Sequence, residues 1–212
     1  VPDYALIYFP VRGKYRYKPI KLLLNFAGIN CPSQELTRRE FMPIDAMKLG
    51  KFFGQLPGFR DGDFVLYQSN SILRYLGNKH GLDGSDAHER AVVDMVNSGV
   101  EDLRQKYGRF LYFEYETGKD KYLETLPAQL DLFERILSKN ANGSAFIVGN
   151  KISYADYNLL DTLHCHIDLS PTCLSNYPLL SAYVERLVSR PKLAKYLNSD
   201  VCKRRPITPK HK

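Results

Sequence analysis

Gly54-Gln55-Leu56-Pro57-Gly58-Phe59-Arg60-Asp61-Gly62-Asp63-Phe64-Val65-Leu66-Tyr67-Gln68-Ser69-Asn70 holds turn residues, Asp61-Gly62-Asp63, ahead of a run of strand formers. It predicts strand, hairpin turn, strand. Ser69 then stands as an N-cap before Ile72, Leu73, Tyr75 and Leu76, a helix that stops near Gly81. Upstream, Tyr4-Ala5-Leu6-Ile7-Tyr8-Phe9 predicts a strand that breaks at Pro10-Val11-Arg12-Gly13. From Pro19 the apolar residues Ile20, Leu22, Leu23, Leu24, Phe26 and Ala27 predict a helix with proline in its first turn, ended by Gly28. A second strand is expected near Gln34-Glu35-Leu36-Thr37.

Past Asp83-Gly84-Ser85 the strand runs vanish and helical periodicity begins with Ala91, Val92, Met95, Val96, Val100 and Leu103. Further helical segments are expected from Leu111, from Tyr122 to Leu137, from Tyr154 to His166 and from Leu179 to Val188. The reading is an α/β domain over residues 1–82 followed by an all-α domain over 83–212. The 212 residues are 44% hydrophobic and 25% charged, which excludes bulk disorder, and no apolar run is long enough to span a bilayer. With no signal-peptide pattern at Val1-Pro2-Asp3-Tyr4 and four irregularly spaced cysteines, the expected setting is the cytoplasm with reduced thiols and no membrane partner. The net charge of +7 admits an anionic partner, but the basic residues form no single stripe, so nucleic acid is not expected as the main ligand.

The stretches Tyr8-Phe9-Pro10-Val11-Arg12-Gly13, Gly54-Gln55-Leu56-Pro57, Asp61-Gly62-Asp63, Leu66-Tyr67-Gln68-Ser69-Asn70, Asp94-Met95-Val96-Asn97, Gly99-Val100-Glu101-Asp102-Leu103 and Ile152-Ser153-Tyr154-Ala155-Asp156-Tyr157-Asn158-Leu159-Leu160 carry a resemblance. In order and approximate spacing the chain resembles the cytosolic glutathione S-transferases, pi class. The resemblance implies a thioredoxin-like N-terminal domain, an all-helical C-terminal domain, a homodimer, and conjugation of glutathione, as co-substrate and with no further cofactor, to small hydrophobic electrophiles.

The chemistry also follows from physical need. The thiolate is the nucleophile, and a free thiol is only a few per cent ionised at neutral pH. Tyr8, at the end of the first strand, is placed to stabilise it: a phenol donating a charge-assisted hydrogen bond is worth roughly 1.5–3 kcal/mol, about one to two pKa units. Glutathione is an extended peptide with two carboxylates and one ammonium, so its site needs a strand edge, cations and an acid. By resemblance, Gln55, Leu56 and a cis Pro57 supply the edge, Gln68 and Ser69 take the γ-glutamyl carboxylate, and Asp102 reaches the neighbouring subunit's ammonium. Lys14 and Lys48 hold the glycyl carboxylate. Phe9, Val11, Gly108, Arg109 and Tyr112 border the electrophile, and Phe53 is the aromatic key that enters the partner subunit.

Several positions depart from the family pattern. The chain has no tryptophan, so the indole of the glycyl side is missing, with Phe41 or Met42 in its neighbourhood. Lys14 stands where an arginine is usual and lacks the bidentate fork. Lys51 replaces a common reactive cysteine, and the loop from Thr37 to Phe52 is longer than usual. Gly108 and Arg109 imply a roomier and more cationic electrophile pocket. Ser153 and Asp156 read as a capping box. His164 and His166, two apart on a helix, point to different faces and do not read as metal ligands. The alternative to an enzyme is a hydrophobic-ligand carrier or regulatory binding protein on the same fold.

Overall fold

A computed structural model of the chain describes residues 3–8, 16–35, 53 and 55–203. They fall into two compact units, one within Val1–Leu76 together with Lys195–Lys212, the other Gly77–Ala194.

The first unit holds β1 (Tyr4–Tyr8), α1 (Lys18–Phe26), β2 (Ser33–Glu35), β3 (Gly58–Asp61) and β4 (Phe64–Tyr67), with α2 (Ser69–Lys79) beginning in it. The strand order is β2-β1-β3-β4, with β2 parallel to β1 and the other two pairings antiparallel. Together these make the thioredoxin-like α/β arrangement. Alternating burial does not apply to β1: Tyr4, Ala5, Leu6 and Ile7 are all buried, as expected of a strand inside a sheet. The predicted hairpin is present, with Gly62-Asp63 between the paired Asp61 and Phe64, and Gly62 takes the positive φ of 58° that this tight turn requires. Helix α1 ends in a complete Schellman arrangement. Gly28 N–H donates to the Asn25 carbonyl and Ile29 N–H to that of Leu24.

The second unit is all helical: α3 (Ala87–Arg109), a π-helical turn (Phe110–Glu114), α4 (Lys119–Lys139), α5 (Tyr154–Leu169) and α6 (Pro178–Val188); α7 (Pro191–Leu197) runs across the division at Lys195, and α8 (Asp200–Lys203) belongs to the first unit. Helix α5 is the core of this unit, since nearly every residue from Tyr154 to Cys165 is buried. Its start is organised by Asp156, whose carboxylate accepts from the Ser153 and Ile147 N–H groups and from the Tyr183 hydroxyl. Burial pushes that carboxyl up, and these four donors, the Ser153 hydroxyl included, pull it down. Arg104 of α3, 2% exposed, pins α3 to α5 by donating to Asp161, Asn158 and Thr162 at 2.7–3.0 Å.

Three expectations need correction. No new helix starts at Leu111, because α3 runs through Arg109 and widens into the π-helical turn. There, Arg109 Nε meets Glu114 Oε1 at 3.1 Å, a spacing of five residues that matches the wider turn. Ser69 is not the N-cap: Gln68, whose carbonyl accepts the first helical bond from Ile72 N–H, holds that position with φ of 74°. The apolar stripe of α3 is wider than the face it buries, for Val93, Val96, Val100 and Leu103 are covered while Val92 and Met95 are exposed. Among the described residues no helix is long and apolar enough to cross a membrane, and no cluster of three metal-ligating side chains occurs.

Candidate active site

The registers of the sheet gather the glutathione candidates of the first unit. Ile7 pairs with Gly58, and Gly58 with Tyr67. Tyr8 ends β1, Pro57 directly precedes β3 and Gln68 directly follows β4, and the antiparallel pairings bring these three ends to the same edge of the sheet. Thus Tyr8, the cis Leu56–Pro57 peptide and the Gln68-Ser69 start of α2 lie at one end of three adjacent strands. Pro57 and Ser69 are buried, Tyr8 and Leu56 half-buried, and Gln55 and Gln68 exposed, so the row has a closed floor and an open rim. The Tyr8 ring packs against Tyr17, centroids 5.5 Å apart, which limits where its hydroxyl can swing.

Arg16 joins this row, although sequence reasoning missed it. Its Nη1 donates to Ser69 Oγ at 3.4 Å, so a guanidinium stands at the hydroxyl assigned to the γ-glutamyl carboxylate. The sequence signal was present in the Lys14–Lys21 basic stretch, where Arg16 lies two residues before α1. Its approach to Ser69, 53 positions along the chain, is set by tertiary folding and leaves no local signature. Lys14 itself, with Phe9, Val11, Lys48, Phe41, Met42 and Lys51, lies outside the described residues.

In the second unit, α3 carries Asp102, exposed, and Gly108, buried. The Arg104 cluster that pins this helix therefore also fixes the positions of both. Arg109 is exposed and paired with Glu114, which offsets the added positive charge that its sequence position implies. Tyr112, half exposed, sits on the π-helical turn beside Phe113, 84% exposed. A π-helical turn inserts an extra residue per turn and re-aims the side chains that follow. Sequence periodicity gives no sign of that insertion.

Phe53 is 78% exposed with φ of 69°, so it is not an intrachain core aromatic. The helical unit in turn leaves apolar positions bare: Val92 and Met95 on α3, Leu132 on α4, and Gly99, at which an added Cβ would meet nothing within 4 Å. Residues 92, 95 and 99 share one side of α3. The periodicity had grouped Val92 and Met95 with the core, because it cannot distinguish a face covered by the same chain from one left open.

Comparison with known proteins bears on this arrangement. Residues 4–78 match the family model "Glutathione S-transferase, N-terminal domain", and residues 101–200 match "Glutathione S-transferase, C-terminal domain". Glutathione S-transferase P 1 of Xenopus laevis is 66% identical over 213 residues, covering all of both chains. Glutathione S-transferase P of Homo sapiens is 52% identical over 94% of this chain and 93% of its own. Among solved structures, the pi-class glutathione S-transferase of Onchocerca volvulus superposes with a TM-score of 0.89 at 38% identity, covering 97% of each chain. With the row of Tyr8, Pro57, Gln68 and Ser69 on a thioredoxin-like sheet and these matches along both halves, the chain belongs to the glutathione S-transferase family, in its pi class.

Proposed function

We infer that this chain is a glutathione transferase that ionises the glutathione thiol against Tyr8 and delivers the thiolate to small hydrophobic electrophiles. The observation that carries the reading is the strand-end row in which Tyr8, the cis Leu56–Pro57 peptide and the Gln68-Ser69 helix start are neighbours. An extended γ-glutamyl peptide laid along it meets a backbone edge at Leu56, helix-start N–H groups at one end and a phenol at its sulfur. The names of the relatives, all glutathione S-transferases, support a transferase over a carrier.

In this reading residues 1–82 form the glutathione-binding domain and residues 83–212 supply part of the electrophile site. Lys14, Lys48, Gln55, Leu56, Pro57, Gln68, Ser69 and the partner-directed Asp102 hold glutathione, with Arg16 added beside Ser69. Phe9, Val11, Gly108, Arg109 and Tyr112 border the electrophile. The step is polar: a sulfur lone pair forms the C–S bond while a halide leaves with its electron pair, or a π-bond accepts the pair and is then protonated. Glutathione enters as co-substrate. The protein acts as a cytoplasmic detoxifying homodimer, with the exposed Phe53 seated on the Val92–Met95–Gly99–Leu132 face of its partner, an isologous contact made twice.

Tyr8→Phe tests the assignment. With glutathione and chlorodinitrobenzene the variant is expected to lose about 10- to 100-fold in rate at neutral pH, the equivalent of one hydrogen bond to a charged acceptor. The loss should shrink as rising pH ionises the thiol without help. An unchanged rate, and an unchanged pKa of the bound thiol by ultraviolet titration, would remove Tyr8 from the role.

A further inference from the structure

We propose that Glu114 and Tyr115 are positioning residues for the electrophile site: with Arg109 and Phe110 they form two clasps, each joining residues five apart, that hold the π-helical turn in the form that presents Tyr112. The proposal rests on the reading of Tyr112 as a residue bordering the electrophile, and it assigns Glu114 and Tyr115 no contact with substrate. The turn runs from Phe110 to Glu114 and continues α3 without a break. A π-turn is an uncommon conformation that an α-helical chain adopts for a single turn. Side-chain contacts at its two ends select it here.

The polar clasp lies on the outside: Arg109 Nε donates to Glu114 Oε1 at 3.1 Å, and both residues are exposed. The aromatic clasp lies inward, where the buried Phe110 ring meets the half-buried Tyr115 ring at 5.6 Å between centroids. In an α-helix, positions five apart sit about 140° around the axis from each other, too far round for either contact. The i→i+5 bonding of a π-turn brings them to one side, so each pair is a contact that the α form lacks. Phe110 is itself anchored, stacked on Tyr122 of α4 at 4.6 Å between centroids and 12° between planes. Tyr122 in turn bonds His166 of α5 at 2.7 Å. A further contact closes the far end. Gly118 N–H donates to the Glu114 carbonyl at 2.7 Å, and a Cβ on Gly118 would stand 2.8 Å from that oxygen, so the approach needs a residue without a side chain. Returning the turn to α geometry would separate both pairs and rotate Tyr112 about the helix axis relative to the Tyr122 anchor.

Steady-state kinetics of the full chain tests this, with chlorodinitrobenzene and glutathione each varied at a saturating level of the other. Tyr112→Ala sets the reference and should raise the electrophile KM. Tyr115→Leu is expected to raise that KM about two- to tenfold, the equivalent of one aromatic pair, and Glu114→Ala about twofold, as suits an exposed ion pair. Tyr115→Phe keeps the ring contact and should behave as wild type. The glutathione KM should not move in any of them. In a Tyr112→Ala background neither substitution should raise the electrophile KM further, because the residue they position is gone. Glu114 is exposed, so Glu114→Ala carries the test even where Tyr115→Leu destabilises the chain. The positioning role is overturned by full additivity in the Tyr112→Ala background, or by an equal rise in the glutathione KM. It is equally overturned by an unchanged electrophile KM in both Tyr115→Leu and Glu114→Ala. A Tyr112→Ala enzyme with the wild-type electrophile KM would instead remove Tyr112 from the electrophile border, and the proposal falls with it.

Discussion

Acidification from pH 7 to pH 5 is expected to cost the fold about 2 kcal/mol through a single side chain, His166. The residue is fully buried on α5. Nδ1 lies 2.7 Å from the Thr162 carbonyl oxygen and must donate to it, which leaves Nε2 to accept from the Tyr122 hydroxyl at 2.7 Å. Both nitrogens are therefore satisfied by the neutral ring, and a second proton would turn Nε2 into a donor facing a donor. Burial, reinforced by the nearby Arg104 guanidinium and opposed by the Thr162 bond, lowers the His166 pKa from 6.5 to about 4. In the unfolded chain the ring takes up its proton below about pH 6.5, and in the folded chain only near 4. The unfolded state thus binds more protons across that window, so stability is complete above pH 6.5 and falls as pH drops toward 4. At roughly 1.4 kcal/mol per pKa unit, the loss is about 2 kcal/mol by pH 5 and about 3 kcal/mol once both states are protonated. His166→Gln provides the reference, since a glutamine keeps one donor and one acceptor but does not titrate. Urea unfolding of both proteins at fixed protein concentration, at pH 7 and pH 5, reads the difference while other titrating groups cancel. The stability advantage of wild type over the variant should narrow by about 2 kcal/mol between the two pH values. Parallel pH dependences would refute the buried neutral ring.

Phe53→Ala should weaken the homodimer by about 3–5 kcal/mol, the loss expected when a fully buried phenyl is removed, and sedimentation equilibrium across a concentration series measures it. A wild-type monomer at micromolar concentration, or a variant that dimerises equally well, would end the key assignment. Arg16→Ala should raise the glutathione KM several-fold, about 1 kcal/mol for a partly exposed contact, and leave kcat nearly unchanged because the contact is remote from the sulfur. If Arg16→Ala leaves KM unchanged, Arg16 is not the cation of the γ-glutamyl end.

Much of this protein is legible one residue at a time. The hairpin at Gly62-Asp63, the Gly28 stop of α1 and the Ser153–Asp156 start of α5 are local events, set by the conformations and hydrogen bonds open to a few consecutive residues, and the chain states them directly. Tyr8, Gln68 and Ser69 likewise stand out as candidates within short motifs. Three features were decided only in three dimensions. The gathering of Tyr8, Pro57 and Gln68 at one end of the sheet depends on two antiparallel registers, one of them between strands some 50 residues apart, and register depends on pairing across the sheet. Arg16 is a candidate site residue because folding carries its guanidinium to Ser69, 53 positions away in sequence. The apolar residues of α3 were visible as a helical stripe, yet whether each is covered depends on what packs against it: Val96 and Val100 meet the chain's own core, whereas Val92 and Met95 are left bare. Hydrophobic periodicity records that a face avoids water. Only the packed structure shows which faces the chain covers by itself.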